Sequence, residues 1–254
     1  ASVTNQWFQT ATPEYGYAVF SPDYPWDGNK TVPRPANDSN DWRYAHIQYA
    51  TTDGYTVNTA SYGAGQWLID ATDYDPDGRI VRELSPRAIS RILDTNTAEN
   101  SADVDAMSTQ TIYDTVGNMA SVWEPVLDPI ANFVYLQGLR PPTLFTYDQG
   151  APNGGVNPNT ESAYDLVTRV RVMGRNTGGQ DVGLISDTRT GYEPVESGDE
   201  SGWDTGQATT STIKEVFFPN PFNDITTTTR YDDRGRVIET RQPLAGSGDP
   251  EVMH

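Results

Sequence analysis

Cysteine is absent from this chain of 254 residues. That excludes disulfides, thiol nucleophiles, iron–sulfur clusters and thiolate zinc sites, and leaves the compartment open. Lysine occurs only as Lys30 and Lys214, so the 17 basic residues are nearly all arginine. Against them stand 35 acidic residues, giving a formal charge of -18. A field of that sign repels phosphate backbones and anionic bilayers, so no nucleic-acid partner and no membrane insertion are expected. The plainest reading of the acidity is solubility.

Histidine is almost missing too, with His46 and His254 alone. A metal site built on several histidines is excluded by count. A Ser-His-Asp arrangement would need His46, which falls in an alternating strand pattern, and the chain has no Gly-x-Ser-x-Gly elbow. No apolar run approaches the ~18 residues of a membrane span, and no basic-then-apolar leader opens the chain. Hydrophobic residues make up only 35% while aromatics reach 11%, which suits a thin sheet of paired rings and β-branched side chains better than a thick core.

What the chain has instead is a repeated dipeptide. Tyr-Asp occurs at Tyr74-Asp75, Tyr113-Asp114, Tyr147-Asp148, Tyr164-Asp165 and Tyr231-Asp232. In three of these a glycine follows three residues after the Asp: Gly78, Gly117 and Gly235. The pairs at 147 and 164 are degenerate copies. Each full unit predicts a three-residue hairpin loop, with the Asp side chain capping a type I turn and Gly taking the left-handed position that closes it. Arg79 and Arg236 follow the first and last glycines and lead into Ile80–Leu84 and Val237–Arg241, β-branched runs interleaved with charge, as half-solvated strands require. A recurring unit of this kind marks a repeat architecture.

Tyr-Asp-x-x-Gly-Arg followed by apolar residues resembles the YD repeat of the rearrangement-hotspot (Rhs) proteins, a family that includes teneurin and insecticidal-toxin shells. Asp41-Trp42-Arg43-Tyr44 running into Val57–Ala60, and Thr190–Pro194 through Gly202-Trp203, are compatible with actinobacterial-type members. The likeness spans roughly residues 40 to 243, and the Tyr113 unit departs from it at Asn118, where Arg is expected. The resemblance implies an all-β spiral sheet closing into a hollow shell around another part of the same polypeptide, often a C-terminal toxin. Its partners would then be other repeats and the C-terminal region of that polypeptide, and its location secreted or at the cell surface, with the signal outside this segment. Many members self-cleave near Asp-Pro-x-Gly. Here Asp75-Pro76-Asp77-Gly78 matches that string but lies in a repeat turn, and Asp128-Pro129 and Asp249-Pro250 lack the glycine, so autoproteolysis is not carried over.

Along the chain, residues 1–40 are rich in Pro, Asn, Asp and rings and predict an irregular lead segment. Residues 41–243 read as the repeat sheet and 244–254 as the tail of a piece cut from a longer polypeptide. Asp53-Gly54 marks a hairpin turn between strands at 44–49 and 55–57. Ser85 caps one short helix with Pro86 at its first position and Ile89, Ile92 and Leu93 on one face. Residues 94–108 are polar and small, admit a second helical turn, and read as a surface excursion. Loops are expected at 149–160 and 191–208, and strands at 166–173, 209–218 and 225–230.

Clustered carboxylates raise two further chemistries. Paired acids serve glycoside hydrolysis, yet Asp73, Asp75, Asp77, Asp232 and Asp233 sit where turns already need Asp. Asp73, Asp75, Asp77 and Gly78 also match the start of a calcium loop, but its twelfth position is Leu84 rather than Glu. No enzyme activity, no cofactor and no metal site are expected. Trp26, Trp67, Trp123 and Trp203 fall in or beside loops among Asp and Asn, as sugar-stacking rings do. An extracellular carbohydrate-binding module is therefore the alternative, against the plainer reading that these rings cover a thin sheet.

Overall fold

The computed structural model describes residues 3–21, 24, 40–95, 101–125, 142–175, 181–199, 201–214, 224–243 and 250–253. The fold is mainly antiparallel β-sheet, and the chain divides into two compact units, Ala1–Thr111 with Glu124–Arg140, and Ile112–Trp123 with Pro141–His254.

In the first unit β1 (Tyr15–Phe20), β2 (Ala45–Ala50), β3 (Thr56–Gly63), β4 (Gln66–Tyr74), β5 (Ile80–Leu84) and the opening of β6 (Thr109–Tyr113) form a meander in which each strand pairs antiparallel with the next. Residues 15–20 lie inside the stretch expected to be irregular. They form a strand because Tyr15, Tyr17 and Val19 alternate with the small Gly16 and Ala18. Between β3 and β4, Ala64 (φ 51°) and Gly65 (φ 82°) are both left-handed, the two-residue turn whose twist suits a hairpin.

Helix α1 (Pro86–Thr95) starts as its caps require: the Ala88 amide donates to Ser85 Oγ at 3.4 Å and the Ile89 amide to the Ser85 carbonyl at 3.1 Å. Ala88, Ile89 and Ile92 form its buried stripe, and Leu93, expected beside them, is exposed. One residue advances about 100° around a helix, which carries Leu93 off the stripe. Where a surface excursion was expected, α2 (Ser101–Ala106) places Val104 in the core, followed by Met107. Together with Trp7, Ala71 and Leu84 these residues bury one face of β4 and β5, each large side chain contributing about 1.5–3 kcal/mol.

The second unit continues with the end of β6, then β7 (Met119–Trp123), β8 (Pro142–Tyr147), a small hairpin of β9 (Val156–Asn157) and β10 (Ser162–Ala163), β11 (Val167–Arg175), β12 (Asp181–Gly191), β13 (Thr210–Lys214), β14 (Ile225–Tyr231), β15 (Val237–Pro243) and β16 (Pro250–Met253). Strands β7, β8, β11, β12, β13, β14, β15 and β16 pair antiparallel in that order. The tail therefore adds a strand on β15, through the pairs Thr240 with Met253 and Gln242 with Glu251. The loop after β12 holds a single helical turn, Gly202–Thr205, capped by Ser201 and ended by left-handed Gly206 (φ 69°). Among the described residues α-helical stretches thus occur at three places, with short 3-10 helical turns at Val3–Trp7, Asn40–Tyr44 and Asn153–Gly155 besides.

Candidate functional site

The Tyr-Asp units build one recurring turn. In the first, the Asp75 amide donates to the Arg79 carbonyl (2.9 Å), while Asp75 Oδ1 accepts from the amides of Asp77 (3.0 Å) and Arg79 (2.9 Å). Gly78 closes the loop at φ 78°. The third repeats this bond for bond: Asp232 N–H to the Arg236 carbonyl at 2.9 Å, and Asp232 Oδ1 to the amides of Arg234 (3.0 Å) and Arg236 (2.9 Å), with Gly235 at φ 72°. In the second, Asp114 bonds Asn118 the same way, and Gly117 has φ 102°. A carboxylate accepting several amides at a turn is the Asx device that selects Asp at this position. Arg79 Nε and Arg236 Nε each reach the other carboxylate oxygen of their Asp at 2.7 Å. Asp232 is held below the usual carboxylate range by the Arg236 side chain and its amide; partial burial opposes the same shift at Asp75, but bonds from Arg79 outweigh it.

The structure joins the two degenerate copies into one further turn. The Asp148 amide donates to the Leu166 carbonyl (3.0 Å), and the Leu166 amide returns to Asp148 Oδ1 (2.9 Å). Leu166 thus stands where Arg79 and Arg236 stand, with residues 149–165 in place of three loop residues. Asp165 marks the closing side of that turn, and its Oδ1 accepts from Asn118 Nδ2 at 2.8 Å, tying two successive turns together.

The tyrosines have a role that the turn chemistry did not announce. Each sits at the end of a strand and donates its hydroxyl to a backbone carbonyl at or just ahead of the start of the strand before: Tyr74 to Thr56 (2.9 Å), Tyr147 to Met119 (3.0 Å) and Tyr231 to Ala208 (2.9 Å). Tyr192, which no Tyr-Asp pair signals, does the same to Val167 at 3.1 Å. Burial raises the phenol pKa of Tyr74, Tyr147 and Tyr192. Tyr113 is half-buried in the matching position at the end of β6.

Neighbouring turns touch through their glycines. A Cβ on Gly78 would lie 2.2 Å from the Tyr55 hydroxyl, and Tyr55 itself stacks on Tyr74 with centroids 4.9 Å apart. A Cβ on Gly235 would lie 2.8 Å from Gln207 Nε2, which donates to the Gly235 carbonyl at 2.8 Å. Tyr55 and Gln207 occupy equivalent places, each one residue before the carbonyl that takes the tyrosine hydroxyl. These glycines are required both by positive φ and by close approach.

One rung beyond Tyr74 and Tyr231 lies an ion pair. Asp73 faces Arg82 across β4 and β5, bonded at 2.8 Å and buried, and Arg230 faces Glu239 across β14 and β15 at 3.0 Å. The remaining capacity of Asp73 is filled by the Thr10 amide (2.9 Å) and hydroxyl (2.8 Å), and Arg82 also bonds Asp105 and the Phe8 carbonyl. Arg230 and Arg241 gather Glu196, Asp199 and Glu239. In β12, Asp187 receives a bidentate pair from Arg169, 2.7 Å on each oxygen, which lowers its pKa. Lys214 bonds Asp224. The sequence signal for the rung is a charge just before the tyrosine and its opposite four residues after the glycine.

Of the carboxylates considered for calcium or hydrolysis, Asp73 pairs with Arg82, Asp75 and Asp77 with Arg79, and Asp232 with Arg236. Among the described residues no group of three or more His, Asp or Glu side chains is disposed to hold a metal ion. His46 lies exposed on β2 beside Gln48.

The tryptophans scatter. Trp26 lies outside the described residues. Trp203 is 3% exposed, packs on Tyr192 and Tyr164 with centroids 4.9 and 5.3 Å away, and donates its indole N–H to Glu193. It is a core residue of the loop, since a ring that size among two tyrosines gains more by burial than by solvation. Trp123 is half-buried with its N–H on Ser121 Oγ at 3.2 Å. Trp67 is partly exposed, edge-on to Tyr62, and borders a cleft of about 470 Å³ with Trp7, Ile47, Tyr49 and Ile69. Two polar groups of that cleft are already engaged, Asn58 with Gln9 and Thr59 with Asp70.

No family model and no curated protein matches the sequence. Solved structures similar to it include three of low identity. A crystal structure of TcdB2-TccC3-Cdc42 is 11% identical, with a TM-score of 0.25, over 82% of this chain and 12% of that one. The Photorhabdus luminescens Tc holotoxin pore carrying TccC3 D651A is 12% identical, with a TM-score of 0.28, over 78% of this chain and 10% of that one. A crystal structure of TcdB2-TccC3-TEV is 11% identical, with a TM-score of 0.23, over 85% of this chain and 13% of that one. The chain spans about an eighth or less of the length of each.

Proposed function

We propose that this chain is a non-catalytic wall segment of a YD-repeat (Rhs) shell, which encloses or displays another part of the same polypeptide, such as a C-terminal toxin, outside the cell or on its surface. The observation that carries this reading is the recurrence of one turn closed by Asp75, Asp114, Asp148 and Asp232, with the hydroxyls of Tyr74, Tyr147 and Tyr231 bonded back to the chain that precedes their strands. Such an array draws its stability from contacts between neighbouring units. It offers an extended surface, and its acids and arginines serve architecture rather than a reacting substrate.

The test is protease protection of the full polypeptide to which this sequence belongs. The C-terminal region is expected to survive protease while the sheet is folded, to be cut once mild denaturant opens it, and to lie within a hollow particle by electron microscopy. Cleavage at equal rates before and after denaturation would overturn the proposal. A glycan array on the isolated chain is expected to stay blank; sugar binding lost on Trp67→Ala would favour a carbohydrate module instead.

A further inference from the structure

We propose that Arg171, with Arg169 and Arg189 beside it, is the receiving group of an oxyanion site on one face of the second unit's sheet, suited to a carboxylate or a phosphate. This inference does not rest on the shell reading.

Directly opposed residues of a sheet, and alternate residues along a strand, point to the same side. Arg171 lies opposite Asp187, which lies opposite Lys214, while Arg169 lies opposite Arg189. The same register runs on through Thr210 and Thr228 to Arg241, with Arg230 two residues along from Thr228. One face thus collects six cations. Five of them have carboxylates: Arg169 and Arg189 share Asp187, Lys214 has Asp224, Arg230 has Asp199 and Glu239, and Arg241 has Glu196 and Glu239.

Arg171 is the sixth. It is half-buried, and its Nε is fully buried with no hydrogen-bond partner. The carboxylate opposite is already taken, since Asp187 is 3% exposed and Arg169 holds both of its oxygens at 2.7 Å. On the other side stands Leu144, whose side chain offers no acceptor. Acids are not scarce in a chain with 35 acidic residues against 17 basic ones. A buried donor left unpaired is costly, and a guanidinium, unlike an amine or an acid, cannot shed its charge to escape that cost. Three guanidiniums around one carboxylate leave an excess of positive charge. An acceptor of opposite charge completes the site, and the planar fork matches the paired oxygens of a carboxylate or a phosphate.

The test follows the arginine Nε–H resonances of the full chain during separate titrations with inorganic phosphate and with acetate at fixed ionic strength. Arg171 is expected to move saturably, with half-saturation at roughly millimolar anion, as suits one forked contact open to water. Exposed Arg87 of α1 is the control and should stay still. Response to phosphate alone, to acetate alone or to both supports the site and says which oxyanion it takes. Arg171→Met should abolish the saturable movement of Arg169 and Arg189. Should that variant unfold, Arg171→Lys, which keeps the charge but not the fork, should weaken binding roughly tenfold. Arg171 moving no more than Arg87 with either anion overturns the proposal. So does an Arg171 resonance already in the hydrogen-bonded position and unmoved by anion, because the chain would then supply the acceptor itself.

Discussion

Asp73 and Arg82 stand opposite each other across β4 and β5 at the rung where Arg230 and Glu239 stand across β14 and β15, with the charges exchanged. Both pairs lie just beyond a repeat tyrosine, so the position conserves an ion pair within the chain while its polarity is free. Removing one partner of the buried pair leaves the other charge uncompensated, which costs about 3–5 kcal/mol, whereas replacing both by apolar groups of similar volume is near neutral. Urea unfolding should therefore show Arg82→Ala strongly destabilised and Asp73→Leu/Arg82→Met much less so. Equal losses in the two variants would mean that the hydrogen bonds of Asp73 to Thr10, rather than the charge balance, dominate.

The glycines should differ in how much a methyl group costs. Gly150 has positive φ and open space around its would-be Cβ, so Gly150→Ala pays only the backbone term, about 1 kcal/mol. Gly235→Ala must also displace the end of Gln207, a flexible side chain, and Gly78→Ala must displace the Tyr55 ring, which stacks on Tyr74. Thermal unfolding should rank the losses as Gly78 largest, then Gly235, then Gly150. Tyr55→Ala should shrink the Gly78→Ala penalty in a double-mutant cycle.

Each tyrosine hydroxyl that closes on the preceding strand should contribute about 1 kcal/mol, lost in Tyr74→Phe, Tyr147→Phe, Tyr192→Phe and Tyr231→Phe. The folded phenol pKa values of Tyr74, Tyr147 and Tyr192 lie above the ordinary value. A raised folded pKa gives stability that is complete below the unfolded value near 10 and disappears as pH climbs through the folded one. Alkaline titration by phenolate absorbance should accordingly show a late-titrating fraction that merges with unfolding, reduced in each Phe variant of these three.

Acid acts on Asp187 in the opposite sense. Arg169 depresses its folded pKa, so its contribution is complete above the ordinary Asp value of about 3.9 and is lost as pH falls through the depressed one. Stability measured between neutral pH and strong acid should fall less steeply in Asp187→Asn, which starts lower at neutral pH.

The turns were legible in the sequence because their chemistry is local: an Asp that captures amides two and four residues on, and a glycine that takes positive φ. The fourth turn was not, because residues 149–165 separate Asp148 from Leu166 and only the ladder brings them together. Trp203 looked like a surface ring among acids, yet Tyr192 and Tyr164 converge on it from segments far apart in sequence. Val104 and Met107 sit in a polar stretch whose burial depends on where α1 lies. The ion-pair rungs were present as charges before Tyr74 and Tyr231, but a period-two strand alone does not say which face is covered.

The most direct measurement is backbone amide exchange at Arg79, Asn118, Leu166 and Arg236 by nuclear magnetic resonance. If one turn recurs, these four amides, each held by the carboxylate of its own Asp, should be protected from solvent as a set, and Asp148→Ala should release Leu166 as Asp75→Ala releases Arg79. Leu166 exchanging at the rate of an open loop, while Arg79 and Arg236 stay protected, would contradict the account.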